Sequence, residues 1–217
     1  MNKKELAKRY ILFIVSLFFA ALGVAVTKRG ELGTSPISSV ANVMSGRFEG
    51  MTMGVWLIVW NCLLILGQIL LLRRDFQPIQ LLQIPLSFLF GWFTDFGLWL
   101  AGLIPVESYP VQAAMTLAGT AIMGFGVSLA VIADVVMNSG EAFVKAVSDR
   151  TGHNFGNVKI AFDVGCVALA AGLSLLLFRG QIIGVREGTV ISALLTGLVV
   201  KFFVRRLSRP LTAVLTA

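Results

Sequence analysis

The side chains of this chain that could do chemistry sit in apolar surroundings. Asp95, Asp163 and Lys159 each fall inside a long hydrophobic run. An ionisable group inside a membrane span is costly, and it usually marks a pathway, a proton relay or a pair. Lys159 and Asp163 are four residues apart, so they share one helix face and can pair locally. Asp95 has no opposite charge within its own run and needs an interhelical partner, a proton or water. Asp95 and Asp163 are therefore the expected points of ion or proton coupling; polar bridging between helices is the structural alternative. Lys201, near the end of the last run, can snorkel to the interface.

A second set of residues lies in the connectors. Gly33-Thr34-Ser35-Pro36 opens a segment that closes at Gly46. Ser35 suits an N-cap, Pro36 the first helical position and Gly46 the stop. The resulting helix is too short to span, and its side chains are small and apolar. Asn138-Ser139-Gly140 opens a similar segment that closes near Gly152. Free N–H groups and the positive dipole end at a helix N-terminus hold anions or polarised groups. If both short helices re-enter the membrane, Thr34, Ser35, Asn138, Ser139 and Gly140 form one polar site. The alternative is a pair of interfacial loop helices. Glu141, Lys145, Asp149 and Arg150 make the second the more surface-lying of the two.

No catalytic constellation is present. The single histidine, His153, lies in a connector, and there is no HExxH pattern, Walker loop or cysteine cluster with metal spacing. A serine without a nearby His or Lys base is not a nucleophile candidate. Asp95 and Asp163, on separate runs, are a thin basis for an aspartyl enzyme. The expectation is a protein that is not an enzyme and carries no cofactor.

These residues must be positioned by helices. The chain has 217 residues, 57% hydrophobic and 13% charged, with a mean hydropathy of +0.86. Soluble domains carry about 25% charged residues. Six apolar runs stand out: 10–26, 51–72, 79–104, 111–132, 157–178 and 188–204. Each is close to the roughly 20 residues that a helical span requires. The net charge of +7 then reads as topology signal, not as a phosphate grip, and nucleic acid is excluded as a partner. The basic start before the first run resembles a signal peptide. A repeat partner for that run later in the chain argues that the run is retained.

That repeat has a spacing of about 103 residues. Leu22-Gly23-Val24 falls opposite Phe125-Gly126-Val127, Met53-Gly54 opposite Phe155-Gly156, and Trp60-Asn61 opposite Phe162-Asp163. Gly91 to Phe96 falls opposite Gly197 to Phe202. Each unit holds three spans, and an odd number turns the second unit upside down. Inverted units of this kind build secondary transporters whose site lies near the midplane. With the N-terminus inside, eleven Lys and Arg fall on inner segments and five on outer ones, which predicts cytoplasmic termini. Cys62 and Cys166 both lie in apolar runs and read as buried free thiols.

Leu32-Gly33-Thr34-Ser35-Pro36, together with the late run from Arg186-Glu187-Gly188-Thr189 to Gly197, resembles the YczE/YyaS/YitT-type bacterial integral membrane proteins. The resemblance implies a multi-helix protein of the bacterial inner membrane. It supplies no activity, and no site residues are carried over from it. The second connector lacks the Gly-Thr-Ser-Pro form of the first.

The sequence thus predicts one all-α polytopic domain over residues 1–217. Its six spans form two inverted three-helix repeats, about 1–104 and 105–217, with two short helices that can re-enter. The expected function is secondary transport or export of a small, anionic solute. The other class of function is a membrane scaffold or accessory protein that engages partners through its basic termini. The lipid bilayer is the certain partner, and a homodimer suits so small a unit.

Overall fold

The structure, a computed structural model, describes residues 2–216. Among them there is no strand, and the helices follow one order twice: α1 (Lys3–Arg29), α2 (Pro36–Arg47), α3 (Met53–Leu72) and α4 (Gln83–Gly102), then α5 (Tyr109–Ala133), α6 (Ser139–Thr151), α7 (Phe155–Leu177) and α8 (Glu187–Thr216). Two short 3-10 turns, Arg73–Asp75 and Pro78–Leu82, join α3 to α4. Six of the helical segments are long and apolar enough to cross a membrane; α2 and α6 are not among them.

Local chemistry explains the starts and stops. Ser35 and Asn138 hold nearly the same extended backbone, φ −61°, ψ 151° and φ −60°, ψ 149°, at the entrances to α2 and α6. Neither side chain caps its helix. The Ser35 hydroxyl donates instead to Ser38 Oγ at 3.0 Å. Gly152 ends α6 in the left-handed region at φ 71°, where glycine carries no Cβ penalty. The stop expected at Gly46 comes one residue later, after Arg47.

Small residues set the packing. Gly23 meets Met123, Thr27 meets Gly119 and Ala20 meets Gly126. One residue number climbs as the other falls, so α1 and α5 run antiparallel, with backbones close enough that a Cβ on any of these glycines would overlap its neighbour. In contrast, α4 runs parallel to α1, with Phe93 on Phe18 and Gly97 on Ala25. In the same way α8 runs parallel to α5: Thr120 Oγ1 lies 3.0 Å from Ser192 Oγ, Gly124 meets Val199, and Phe203 packs on Phe125. The short helices cross over, α2 packing on α7 and α6 on α3. Lys8 Nζ donates to the Val214 carbonyl at 3.0 Å, which places the start of α1 and the end of α8 on one side.

The two halves differ at one seam. α3 packs along α4, whereas α7 shares almost no packing with α8. Gly54 and Gly91 press backbone to backbone across the first seam. Across the second, a Cβ on Gly197 would meet nothing within 4 Å.

Candidate functional site

α2 and α6 begin at the same place. A Cβ on Gly140 would overlap Ile37 Cδ1, so the first turns of the two short helices touch. They open onto a cavity of about 450 Å³. That lies within the 300–1,000 Å³ usual for small-molecule pockets. Phe13, Leu17 and Val24 of α1, Phe90 of α4, and Met123 and Val127 of α5 form its apolar wall. Its polar wall combines Ser35, just before α2, and Ser38 of α2 with Asn138, just before α6, and Ser139 and Glu141 of α6. Asn61 of α3, Gln83 and Ser87 of α4, Lys159 and Asp163 of α7, and Thr196 of α8 complete that wall.

A buried amide network fixes the α6 entrance. Gln68 and Gln83 exchange side-chain hydrogen bonds at 3.1 Å each. The same Gln68 Nε2 donates to the Ser139 carbonyl at 3.1 Å, and Ser87 Oγ lies 3.3 Å from Ser139 Oγ. A buried polar group without such partners costs roughly 1–3 kcal/mol, so α3, α4 and α6 are held in mutual register here. Sequence reading missed Gln68, Gln83 and Ser87. The available signal was one glutamine interrupting the run from Met51 to Leu72.

Lys159 Nζ donates to Asp163 Oδ2 at 2.6 Å, the local pairing that their spacing predicts. Glu141 was expected on a surface-lying helix. In the structure α6 is two-faced: Ser139, Gly140, Ala142, Val144 and Ala146 are buried, while the Lys145–Asp149 pair at 3.1 Å is exposed. Glu141 lies at the inner end of that helix, partly buried beside the cavity. Burial pushes its carboxyl above the ordinary carboxylate range; nearby Lys159 pulls the other way, and Asp163 adds to the rise. Trp60, also on the wall, has a buried Nε1–H with no hydrogen-bond partner among the described residues.

Of the residues predicted to form the site, Ser35, Asn138, Ser139, Gly140 and Asp163 are brought together around this cavity. Two are not. Thr34 is fully buried behind Ser35; its N–H donates to Thr189 Oγ1 at 3.3 Å, and its own hydroxyl is unpaired among the described residues. Asp95 lies at the entrance of α3, where it accepts from Thr52 Oγ1 at 2.6 Å and from the Gly54 N–H at 2.8 Å. The interhelical partner that Asp95 requires is thus a helix N-terminus, a favourable place for a carboxylate.

The two short motifs of the sequence meet in space. The Gly188 N–H donates to the Leu32 carbonyl at 2.8 Å. Gly33 holds φ 108°, and a Cβ there would overlap Thr189 Oγ1. The loop that delivers Ser35 to the cavity is therefore moored to the first turn of α8, by a contact that tolerates only glycine at position 33. This mooring, and every residue of the cavity, lies within residues 7–205, which match the model of a family described as a family of unknown function, DUF6198. The chain belongs to that family. It is 28% identical over 201 residues to the uncharacterized membrane protein YczE of Bacillus subtilis strain 168, a match covering 92% of this chain and 87% of that protein. No solved structure matches it. The YczE-type resemblance read from the two motifs is borne out, and this DUF6198 chain is a multi-pass membrane protein.

Proposed function

We propose that this protein is a secondary transporter or exporter that carries a small solute across the bacterial inner membrane. One observation carries the reading: two short helices, one from each half of the chain, direct their N-termini into a single cavity between the halves. The antiparallel run of α1 against α5 supports two units of opposite orientation, and the buried approach 32–35 supports a re-entrant α2. Non-helical backbone at membrane depth is tolerated where it is buried in protein or lines a cavity. The solute sits among Ser35, Asn138, Ser139 and Asp163, and one unit rocks against the other to change the side of access. The termini, which share one side, face the cytoplasm by the excess of Lys and Arg there.

Accessibility labelling tests this. In a variant with Cys62→Ser and Cys166→Ala, single cysteines replace Ser35 or Ser139. A membrane-impermeant maleimide is then applied to right-side-out and inside-out vesicles. Alternating access predicts that one and the same position is labelled from both sides, and that solute changes the ratio of the two rates. Labelling from one side only, at a ratio that no solute alters, overturns transport and leaves the scaffold reading.

A further inference from the structure

We infer that the cavity takes an organic cation with a hydrocarbon body, which enters from the bilayer between α7 and α8 and is held by Glu141 beside the Lys159–Asp163 pair. The inference rests on the cavity being the transport site, and it departs from the anion expected on the strength of the helix N-termini alone.

Charge decides the class of ligand. Among the described residues, the charged side chains on the cavity wall are Glu141, Lys159 and Asp163. Lys159 is committed to Asp163. Glu141 makes no side-chain hydrogen bond or ion pair among the described residues, so a carboxyl group is left facing the cavity without a partner. The Lys159–Asp163 pair is neutral as a unit, so Glu141 is the one group left to carry net charge, and its carboxylate repels an anion and attracts a cation. The positive end of α6 does not reverse this, because Glu141 sits in that helix's own first turn.

The walls decide the body. Phe13, Leu17, Phe90 and Met123 offer no polar atom to a ligand beyond the headgroup cluster. The sparse α7–α8 packing decides the route. Ile160 and Gly197 line the cavity, yet Ile160 is 65% exposed and the space around Gly197 is open. Leu194 and Leu198 flank the gap at 70% and 65% exposure. A rim so apolar faces lipid, where a hydrocarbon body already partitions.

Glu141 also supplies an exchangeable proton. Burial without a partner disfavours the charged form of its carboxyl, and a bound cation favours it. Among the described residues, the other charged groups on the wall are Lys159 and Asp163, both of α7, while α2, α3, α4 and α8 present neutral Ser38, Asn61, Ser87 and Thr196. When a cation binds, the carboxyl loses its proton to water on the open side and the carboxylate pairs with the cation. One positive charge enters as one leaves. Cation affinity therefore rises with pH through the titration of Glu141 and levels off above it.

Two probes of similar shape and opposite charge give the test: radiolabelled tetraphenylphosphonium and tetraphenylborate, each bound to the full-length protein in nanodiscs between pH 5 and 9. The expected result is saturable phosphonium binding at least tenfold tighter than borate binding, tightening as pH rises. In Glu141→Gln that pH dependence disappears and affinity falls about tenfold. If that variant does not fold, the pH dependence of the wild-type protein decides the point. Tighter borate binding, binding of neither probe, or phosphonium binding indifferent to pH overturns the inference. The labelling ratios at Ser35 and Ser139 report on transport independently, so the two readings can fail separately. For the route, Gly197→Trp is expected to slow phosphonium association at least fivefold; an unchanged rate, or a partner copy found covering the seam, overturns lateral entry.

Discussion

The seam between α3 and α4 and the seam between α7 and α8 occupy corresponding places in the two halves, and they are built from different residues. In the first, Gly54 and Gly91 let two backbones touch, and Asp95 ties the end of one helix to the body of the other. In the second, Gly156 of α7 and Gly197 of α8 do not approach each other, and α8 carries Lys201 but no carboxylate beyond Glu187 in its first turn. A carboxylate is welcome at a helix N-terminus and an ammonium is not. The same helix order thus gives one closed wall and one open one, and the cavity lies against the open one.

The largest break in this comparison is expected from Gly54→Leu. Its side chain would overlap the Gly91 carbonyl and Asp95. Overpacking of this kind costs typically 1–3 kcal/mol and here involves backbone, so about 3 kcal/mol is expected. Gly197→Leu should change stability by less than about 0.5 kcal/mol, as surface substitutions do. Thermal melting of the two purified variants in one detergent checks the contrast, and equal losses would mean that the second seam closes in solution.

Asp95→Asn comes next. It removes the charge from two hydrogen bonds to the α3 entrance, and bonds to charged groups contribute about 1.5–3 kcal/mol each. A loss of about 2 kcal/mol is expected, against no measurable loss for Lys201→Ala. Chemical denaturation of both variants reads the difference.

The amide pair sharpens the comparison because only the first half carries one. Gln68→Leu leaves Gln83 and the Ser139 carbonyl without their partner and should cost about 1–3 kcal/mol. Gln68→Leu combined with Gln83→Leu should recover part of that loss, since replacing both partners by apolar groups is cheaper than stranding one. A double-mutant cycle on melting temperature measures the coupling.

The smallest effect is one the two halves share. Thr52 caps α3 by accepting from the Val55 N–H at 3.2 Å, and Asn154 caps α7 by accepting from the Gly156 N–H at 2.8 Å. Thr52→Ala and Asn154→Ala should each cost about 1 kcal/mol. A markedly larger loss at Thr52 would show that its second bond, to Asp95, carries the closed seam.

How much of this was legible in sequence depends on range. The six long helices follow from composition, because about 20 apolar residues in a row have one stable solution in a bilayer. The start at Pro36, which suits the first helical position, and the stop at Gly152, which takes the left-handed backbone, follow from rules that act within one helical turn, although neither Ser35 nor Asn138 makes the side-chain cap. The pairing of Lys159 with Asp163 is equally local. Glu141 was misplaced because its neighbours Lys145 and Asp149 are polar, and a helix that buries one face and exposes the other presents both kinds of residue to a reader of sequence. The partner of Asp95 was not legible, because the bond to the α3 entrance joins residues 41 apart on two helices whose packing no local rule sets.

What the sequence alone determined is the class of protein, the order of its helices and the residues at which the short ones begin. Tertiary structure decided that Ser35 and Ser139 face one cavity, that Gln68 reaches Ser139 across 71 residues of chain, and that α7 stands apart from α8. The physical reason is that hydropathy and capping are summed along the chain, whereas a polar partner or an open seam is set by which surfaces meet. In an apolar solvent, small residues and hydrogen bonds at helix contacts choose those surfaces, and hydropathy does not distinguish among them.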